Sequence, residues 1–237
     1  MNTKNQKGHL SRRNLLKFSA GVVGTGALTA GLGSKLVFTD RAVAQDDITP
    51  DRALQQLMEG NQRFVNGKRQ NPHQDMARLT EIAKTQNPFA AILSCSDSRV
   101  PSEIIFDQGF GDLFICRVAG NIATPEEIGS LEFGTLVLGA KVIMVMGHER
   151  CGAVAATIKG AQVPGQIASL LEAIKPAVKN SESQTGDQLE NAIKANVLLQ
   201  IEKLKASPVI SGLIKEEKLK IVGGYYDLDT GVISRVS

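Results

Sequence analysis

The segment "PFAAILSCSDSRVP", residues 88–101, contains an apolar run of the length of one β-strand, and the run ends abruptly in polar residues. A strand whose sequence is continuously apolar, rather than alternating, is typical of a parallel sheet that is covered on both faces. Two later segments have the same character, "DLFICRVAGN" at 112–121 and "KVIMVMGH" at 141–148. These three segments predict buried parallel strands.

Helical patterns alternate with these strands. The first helix is predicted to begin at Thr49, a good N-cap residue, followed by Pro50, which suits the first helical position. A second Thr-Pro pair at Thr124 opens a helix predicted to run to Gly139. Strands that alternate with helices predict an α/β fold. The remaining predictions are helices near 78–85, from about 152, near 166–178, near 187–206 and from 208, and a strand with a hairpin over 219–236.

The first part of the chain resembles a bacterial twin-arginine (Tat) export signal. Arg12 and Arg13 precede a modest apolar stretch that is rich in glycine and alanine, and Ala42 and Ala44 form an A-x-A cleavage pattern. The predicted organisation is an export signal over 1–44 and one domain over 45–237.

This resemblance implies export by the Tat machinery to the periplasm or another extracytoplasmic lumen. An alternative is that the leader is not cleaved, in which case it would keep the protein associated with the membrane. No other stretch of the sequence is long and apolar enough to span a bilayer.

The charge distribution argues against a nucleic-acid partner. Of the 27 Lys and Arg residues and 24 Asp and Glu residues, 1–44 hold seven and one, so the rest of the chain carries 20 basic and 23 acidic side chains. A slightly acidic body offers no basic face for a phosphate backbone.

Potential metal ligands lie at the ends of two predicted strands. Cys95 follows the first, and His148 and Cys151, three residues apart, follow another. The carboxyl ends of parallel strands share one edge of a sheet, where ligands bind in open α/β folds, so the three side chains meet if the two strands are neighbours. Two thiolates and one imidazole suit Zn²⁺, and three protein ligands leave a fourth position open for chemistry.

Each of these residues also has a simpler interpretation. A cysteine at the end of an apolar strand is usually a small core residue, and we expect this for Cys116. Asp97 and Arg99 follow Cys95 closely enough to place a carboxylate and its guanidinium partner beside a metal, but they would also suit a surface turn with an incidental ion pair.

The combined pattern "CSDSRVP" at 95–101 and "GHERCGA" at 147–153 resembles the β-class carbonic anhydrases. The resemblance extends to "LMEGNQRF", "DLFICRVAGN", "SLEFGTLVLGAKVIMVMGH" and "VGGYYDLDTG". It implies a twisted, mostly parallel sheet flanked by helices, and a homodimer or higher oligomer formed through the long N-terminal helix with the metal near the subunit interface.

The resemblance also assigns roles to residues. Cys95, His148 and Cys151 would bind one Zn²⁺ per subunit, and Asp97 and Arg99 would form the catalytic dyad. Water activated on the zinc would convert CO₂ to bicarbonate and a proton. The sequence leaves open whether Asp97 rests on the metal or on Arg99.

Four further positions match substrate-binding residues of the plant-like subgroup: Gln86, Phe114, Ala119 and Phe133. Phe133 stands where a tyrosine is common and Val118 where an asparagine is common, so the hydroxyl and the amide are missing here. The chain has no tryptophan, and the bicarbonate-effector site of another subgroup is therefore not predicted.

Two other functions use the same scaffold. One is hydrolysis of CS₂ or COS at the same zinc site, which the motif does not distinguish from CO₂ hydration. The other is a binding or scaffold protein with an inactive site.

Overall fold

The computed structural model of the protein describes residues 48–237. The predicted export signal, with its arginine pair and its cleavage site, lies outside the described residues. Within 48–237, no helix has both the length and the apolar character that a membrane crossing requires.

A single five-stranded sheet organises the described chain, in the order β2-β1-β3-β4-β5. The first four strands are parallel, and β5 runs antiparallel to β4 at one edge. The predicted mostly parallel sheet is thus confirmed. The strands are β1 Ala90–Ser94, β2 Leu113–Arg117, β3 Val142–His148, β4 Lys220–Tyr226 and β5 Ile233–Val236.

Helices connect the parallel strands and flank the sheet. A four-residue helix after β1 was not among the sequence predictions, and such short helices carry too little periodic signal to be recognised. The helices are α1 Pro50–Val65, α2 Met76–Ile82, α3 Ser102–Ile105, α4 Pro125–Glu132, α5 Gly152–Ile158, α6 Ile167–Ser181, α7 Gln188–Lys205 and α8 Pro208–Lys215.

The start of α1 follows from its capping sequence. The Thr49 hydroxyl accepts a hydrogen bond from the Arg52 backbone N–H at 3.2 Å, and Pro50 occupies the first turn, where its missing N–H costs nothing. Ala53 and Leu57 on one side of the helix are fully buried and pack against the sheet. This confirms the predicted first helix.

The two faces of the sheet carry separate apolar cores, because successive residues of a strand point to opposite sides. Ile92 and Met144 lie in the core beneath α1, whereas Leu93 and Val145 lie in the core that contains Val197 of α7. All four strand residues are fully buried. Both faces of β1 and β3 are therefore covered, as their continuous apolar runs predict. The third predicted strand, β2, lies at the edge of the sheet, and its residues are half-buried or exposed rather than buried.

The fourth helix ends earlier than its sequence predicts. It stops at Glu132, and the chain continues through a π-helical turn, Phe133–Val137, instead of an α-helix to Gly139. The turn lies close against β2, since a Cβ atom on Gly134 would lie 2.8 Å from the ring of Phe114. This tight packing accompanies the change in helical geometry.

The strand order brings the predicted metal ligands together. β1 lies between β2 and β3, with Ser94 level with Met146 of β3 and Arg117 of β2. Cys95 follows directly after β1, and His148 ends β3. The neighbouring strands required by the sequence argument are present.

Candidate metal centre

Cys95, His148 and Cys151 form one buried cluster at the carboxyl edge of the sheet. One potential ligand atom from each lies within 4.8 Å of the other two. His148 is completely buried, and the exposed fractions of Cys95 and Cys151 are 5% and 2%. The predicted ligand set is therefore assembled by the fold.

One ring nitrogen of His148 is held by a hydrogen bond, and the other is left without a hydrogen-bond partner. Its Nδ1 lies 2.9 Å from the backbone carbonyl oxygen of Glu149, to which the Nδ1–H donates. The other nitrogen, Nε2, is buried and has no hydrogen-bond partner. A buried polar atom without a partner is costly, and a histidine whose second nitrogen is held by a carbonyl is the usual form of a metal ligand. The imidazole therefore fits a metal at Nε2.

The two thiols are electrostatically coupled. A hydrogen bond from Cys151 holds the pKa of Cys95 well below its usual range against the opposing effect of burial, and the imidazole of His148 and the N–H of Gly120 also lower it. The pKa of Cys151 is raised, because its ionisation would place a second thiolate beside the first. Both groups can be thiolates when a dication lies between them, so the donor set fits Zn²⁺.

Asp97 is held by Arg99 next to this cluster. The carboxylate accepts hydrogen bonds from Nε and Nη2 of Arg99 at 2.9 and 2.8 Å, and from the Arg99 backbone N–H at 2.9 Å. These contacts hold the pKa of the Asp97 carboxyl well below its usual range. One carboxylate oxygen lies 3.8 Å from Nε2 of His148. The predicted dyad is thus present beside the ligand cluster.

Arg117 is a positioning residue that the sequence reasoning missed. Its Nε donates to the carbonyl oxygen of Cys95 at 3.0 Å, and its Nη2 donates to the carbonyl oxygen of Asp97 at 2.6 Å. Arg117 ends β2 directly beside β1, so it can reach over the loop that follows β1. The sequence feature that could have identified Arg117 is a charged residue at the end of an apolar strand.

Phe114 lies on β2, the strand that borders β1, and Ala119 lies just after that strand. Ala119 begins a 3-10 turn, Ala119–Asn121, in which the N–H of Gly120 donates to Sγ of Cys95 at 3.3 Å. Phe114 is level with Ala91 within β2, and its ring contacts Gly134. Ala119 is therefore adjacent to the metal cluster, whereas Phe114 lies further back along the sheet.

Of the other two predicted substrate-binding residues, Gln86 is not brought to the cluster within one subunit. Gln86 is exposed and precedes the amino end of β1, so the strand, about 17 Å long, separates it from Cys95. Phe133 begins the π-helical turn that follows α4, and its exposed fraction is 44%. Any role of Gln86 at a metal in this cluster requires a second subunit.

Cys116 lies apart from the cluster. It faces the core that contains Leu93 and Val145, and burial raises the pKa of its thiol to about 11. Among the described residues, the group that could hold a metal contains only the two other cysteines and His148. Cys116 thus packs against the core as predicted, but it is half-buried rather than fully buried.

Comparisons with known proteins identify the family. Residues 90–233 match the family model described as carbonic anhydrase. The chain is 37% identical over 187 residues to carbonic anhydrase 2 of Mycobacterium tuberculosis, an alignment that covers 77% of this chain and 90% of the relative.

Solved structures agree with this result. The β-carbonic anhydrase CcaA has a TM-score of 0.62 at 27% identity, with coverage of 78% of this chain and 95% of that chain. A structure from a study of two tetrameric β-carbonic anhydrases of Sordaria macrospora has a TM-score of 0.62 at 26% identity, covering 78% and 96%. The matched region includes all three residues of the buried cluster, and the chain belongs to the β-class carbonic anhydrase family.

Proposed function

We propose that this protein catalyses the reversible hydration of CO₂ to bicarbonate and a proton, and that Cys95, His148 and Cys151 hold one Zn²⁺ per subunit. The observation that carries the proposal is the buried Nε2 of His148, which has no protein partner and faces two cysteine thiols. A zinc ion bound there supplies a Lewis acid that lowers the pKa of water from 15.7 towards about 7.

Asp97 has the role of orienting the attacking water. Its carboxylate is ionised at neutral pH because Arg99 holds its pKa low, so it can only accept hydrogen bonds. One of its oxygens lies 3.8 Å from Nε2 of His148, so it could accept a hydrogen bond from a water held beside the three proposed ligands. Arg99 keeps the carboxylate in one orientation through its paired contacts.

The active unit is proposed to be at least a homodimer, formed with the participation of α1, in which Gln86 of one subunit binds the substrate of the other. The opposite ends of β1 separate Gln86 from Cys95 in one chain, which supports action between subunits. Phe133 and Leu136, with exposed fractions of 44% and 56%, provide apolar surface for such an interface. The tetrameric relatives from Sordaria macrospora are consistent with an oligomer.

Complementation between two defective variants tests the shared site. Gln86→Ala leaves the zinc ligands intact, whereas His148→Ala removes one ligand but keeps Gln86. If Gln86 acts across the interface, mixed dimers contain one complete site, and co-refolded protein regains up to about half of the activity per mixed dimer. If Gln86 acts within its own subunit, or not at all, the mixture is no more active than the sum of its parts.

The substrate is tested by comparing CO₂, COS and CS₂ on the same zinc-loaded preparation. Turnover of CO₂ that far exceeds the other two supports the proposal. Efficient hydrolysis of CS₂ with negligible CO₂ hydration would assign the site to the alternative reaction, and no turnover of any of them would favour an inactive scaffold.

We also propose that Gln86, Phe114, Ala119 and Phe133 bind substrate, as in the plant-like subgroup.

We further propose that residues 1–44 form a Tat export signal. Replacement of Arg12 and Arg13 by lysine should trap the protein in the cytoplasm, as measured by cell fractionation. Export that is unaffected by both substitutions would refute the assignment.

A further inference from the structure

We propose that Asn196 and Gln200 of α7 are positioning residues for the metal ligand Cys95, acting through the turn Ala119–Asn121. The inference rests on the proposed metal site and adds two residues, more than forty positions away in sequence from any ligand, to its construction. Both side chains are completely buried.

The two amides form a directed chain of hydrogen bonds. The backbone N–H of Ala123 donates to Oε1 of Gln200 at 2.9 Å, and Nε2 of Gln200 donates to Oδ1 of Asn196 at 2.8 Å. Nδ2 of Asn196 then donates to the carbonyl oxygen of Gly120 at 2.8 Å. Each amide accepts at one end and donates at the other. The chain therefore joins Gly120 within the turn, and Ala123 just after it, to α7.

The turn is a conformation that needs support. Gly120 has φ +75° and Asn121 has φ +45°, which places two consecutive residues in the left-handed region. A short segment with such a backbone persists only when its surroundings fix it. The contacts of Asn196 and Gln200 with Gly120 and Ala123 provide this fixation from a helix of 18 residues.

The same turn carries a direct contact to the metal ligand. The N–H of Gly120 donates to Sγ of Cys95 at 3.3 Å, while its carbonyl oxygen is held by Asn196. A displacement of the turn would therefore remove a hydrogen bond from a thiolate ligand. Partners behind the ligands orient them and tune their basicity, and their loss typically reduces metal affinity or activity about 10- to 100-fold.

The helix that holds the turn also packs closely against β3. On β3, Gly147 approaches α7 so closely that a Cβ atom there would lie 2.8 Å from both Ile193 and Val197. The helix is thus packed tightly on the strand that ends in His148. Through α7, the turn beside Cys95 and the strand that carries His148 share one rigid support.

The test measures metal binding directly. Asn196→Leu and Gln200→Met keep side-chain size but remove the amide donors and acceptors. The zinc dissociation constant is measured by chelator competition, and the thiolate-to-cobalt charge-transfer band is measured on Co²⁺-substituted protein. Both variants should bind zinc about tenfold or more weakly and shift the charge-transfer band.

Two control variants separate positioning from general stability. Leu204→Ala creates a cavity in the same helix at a buried apolar position, and Asn191→Ala removes a peripheral amide of α7 that donates a hydrogen bond to the carbonyl oxygen of Thr185. Both should keep the wild-type zinc affinity and cobalt spectrum, although Leu204→Ala should unfold at a lower temperature.

The inference is overturned if folded Asn196→Leu or Gln200→Met binds zinc within about twofold of wild type with an unchanged cobalt spectrum, or if Leu204→Ala weakens zinc as much as they do. If one of the two variants does not fold, the other decides. Because neither readout uses CO₂, a wild-type protein that binds zinc without hydrating CO₂ would refute the proposed reaction and leave this inference standing.

Discussion

The Asp97 carboxylate accepts two hydrogen bonds from the Arg99 guanidinium, at 2.9 and 2.8 Å, and a third from the Arg99 backbone at 2.9 Å. The sequence left open whether Asp97 rests on a metal or on this arginine. In the structure it rests on the arginine, and the buried ligand cluster comprises the two cysteines and His148 without it. If these three residues bind the proposed zinc, a fourth position on the ion would be left for solvent.

Asp97→Asn should retain zinc and lose most of its turnover. The amide has nearly the shape of the carboxylate, but it carries no charge and presents one acceptor oxygen instead of two. Loss of a general base or water-orienting group typically costs about 10²- to 10⁴-fold in rate. Stopped-flow CO₂ hydration and zinc analysis on one preparation check this result, and a zinc-loaded variant with wild-type turnover would remove Asp97 from the mechanism.

Arg99→Gln should raise the pKa of Asp97 towards its ordinary value of about 3.9. The folded-state pKa of Asp97 is lowered, so its interaction with Arg99 stabilises the protein above the unfolded value and is lost as the pH falls through the folded value. A ¹³C titration of the labelled carboxyl in metal-free protein measures the change. An unchanged midpoint would show that Arg99 does not set this pKa.

Gly120→Ala should destabilise the fold more than Gly160→Ala. Both glycines have positive φ, +75° and +59°, but a Cβ on Gly120 would lie 2.5 Å from Ile174, whereas nothing lies near Gly160. The left-handed backbone conformation costs an alanine about 1–2 kcal/mol of stability at either position. Overpacking costs about 1–3 kcal/mol more at Gly120 alone. Urea unfolding measures the free energy of unfolding of both variants. Equal losses would mean that the side chains around Gly120 move aside without an energetic cost.

Removal of zinc should lower the urea midpoint of unfolding of the wild type but not that of His148→Ala. Free zinc at 100 times its dissociation constant stabilises a protein that binds it only when folded by about 2.7 kcal/mol. Urea unfolding with and without a chelator measures the difference, and His148→Ala serves as the control that should show none. Equal midpoints for the wild type in both conditions would contradict a folded-state metal site at this cluster.

Much of the architecture follows from local sequence. The continuous apolar runs around Ile92 and Val145 predict strands that are buried on both faces, and the Thr49–Pro50 pair predicts the start of α1. The cluster of candidate ligands was also predictable, because Cys95 directly follows β1, His148 ends β3, and parallel strands end at one edge of a sheet. These features depend on short stretches of chain and on rules that hold for every parallel sheet.

The remaining features depend on contacts between distant segments. The bonds of Arg117 to the loop after β1, and of Asn196 to the turn at Gly120, exist only because of the strand order and the placement of α7. The early end of α4 is accompanied by the close packing of Gly134 on Phe114, which belong to different elements of the chain. No periodic pattern in the sequence encodes these contacts, so they become visible only in three dimensions.

The central claim is that the Cys95–His148–Cys151 cluster holds the zinc that hydrates CO₂. Its most direct test measures zinc content and CO₂ hydration rate, from neutral to alkaline pH, for the wild type, His148→Ala and Cys116→Ser. We expect one zinc per chain and rapid hydration for the wild type and Cys116→Ser, and the loss of both for folded His148→Ala. A zinc-loaded, folded wild type without hydration at alkaline pH, or a His148→Ala variant that keeps both properties, would contradict it.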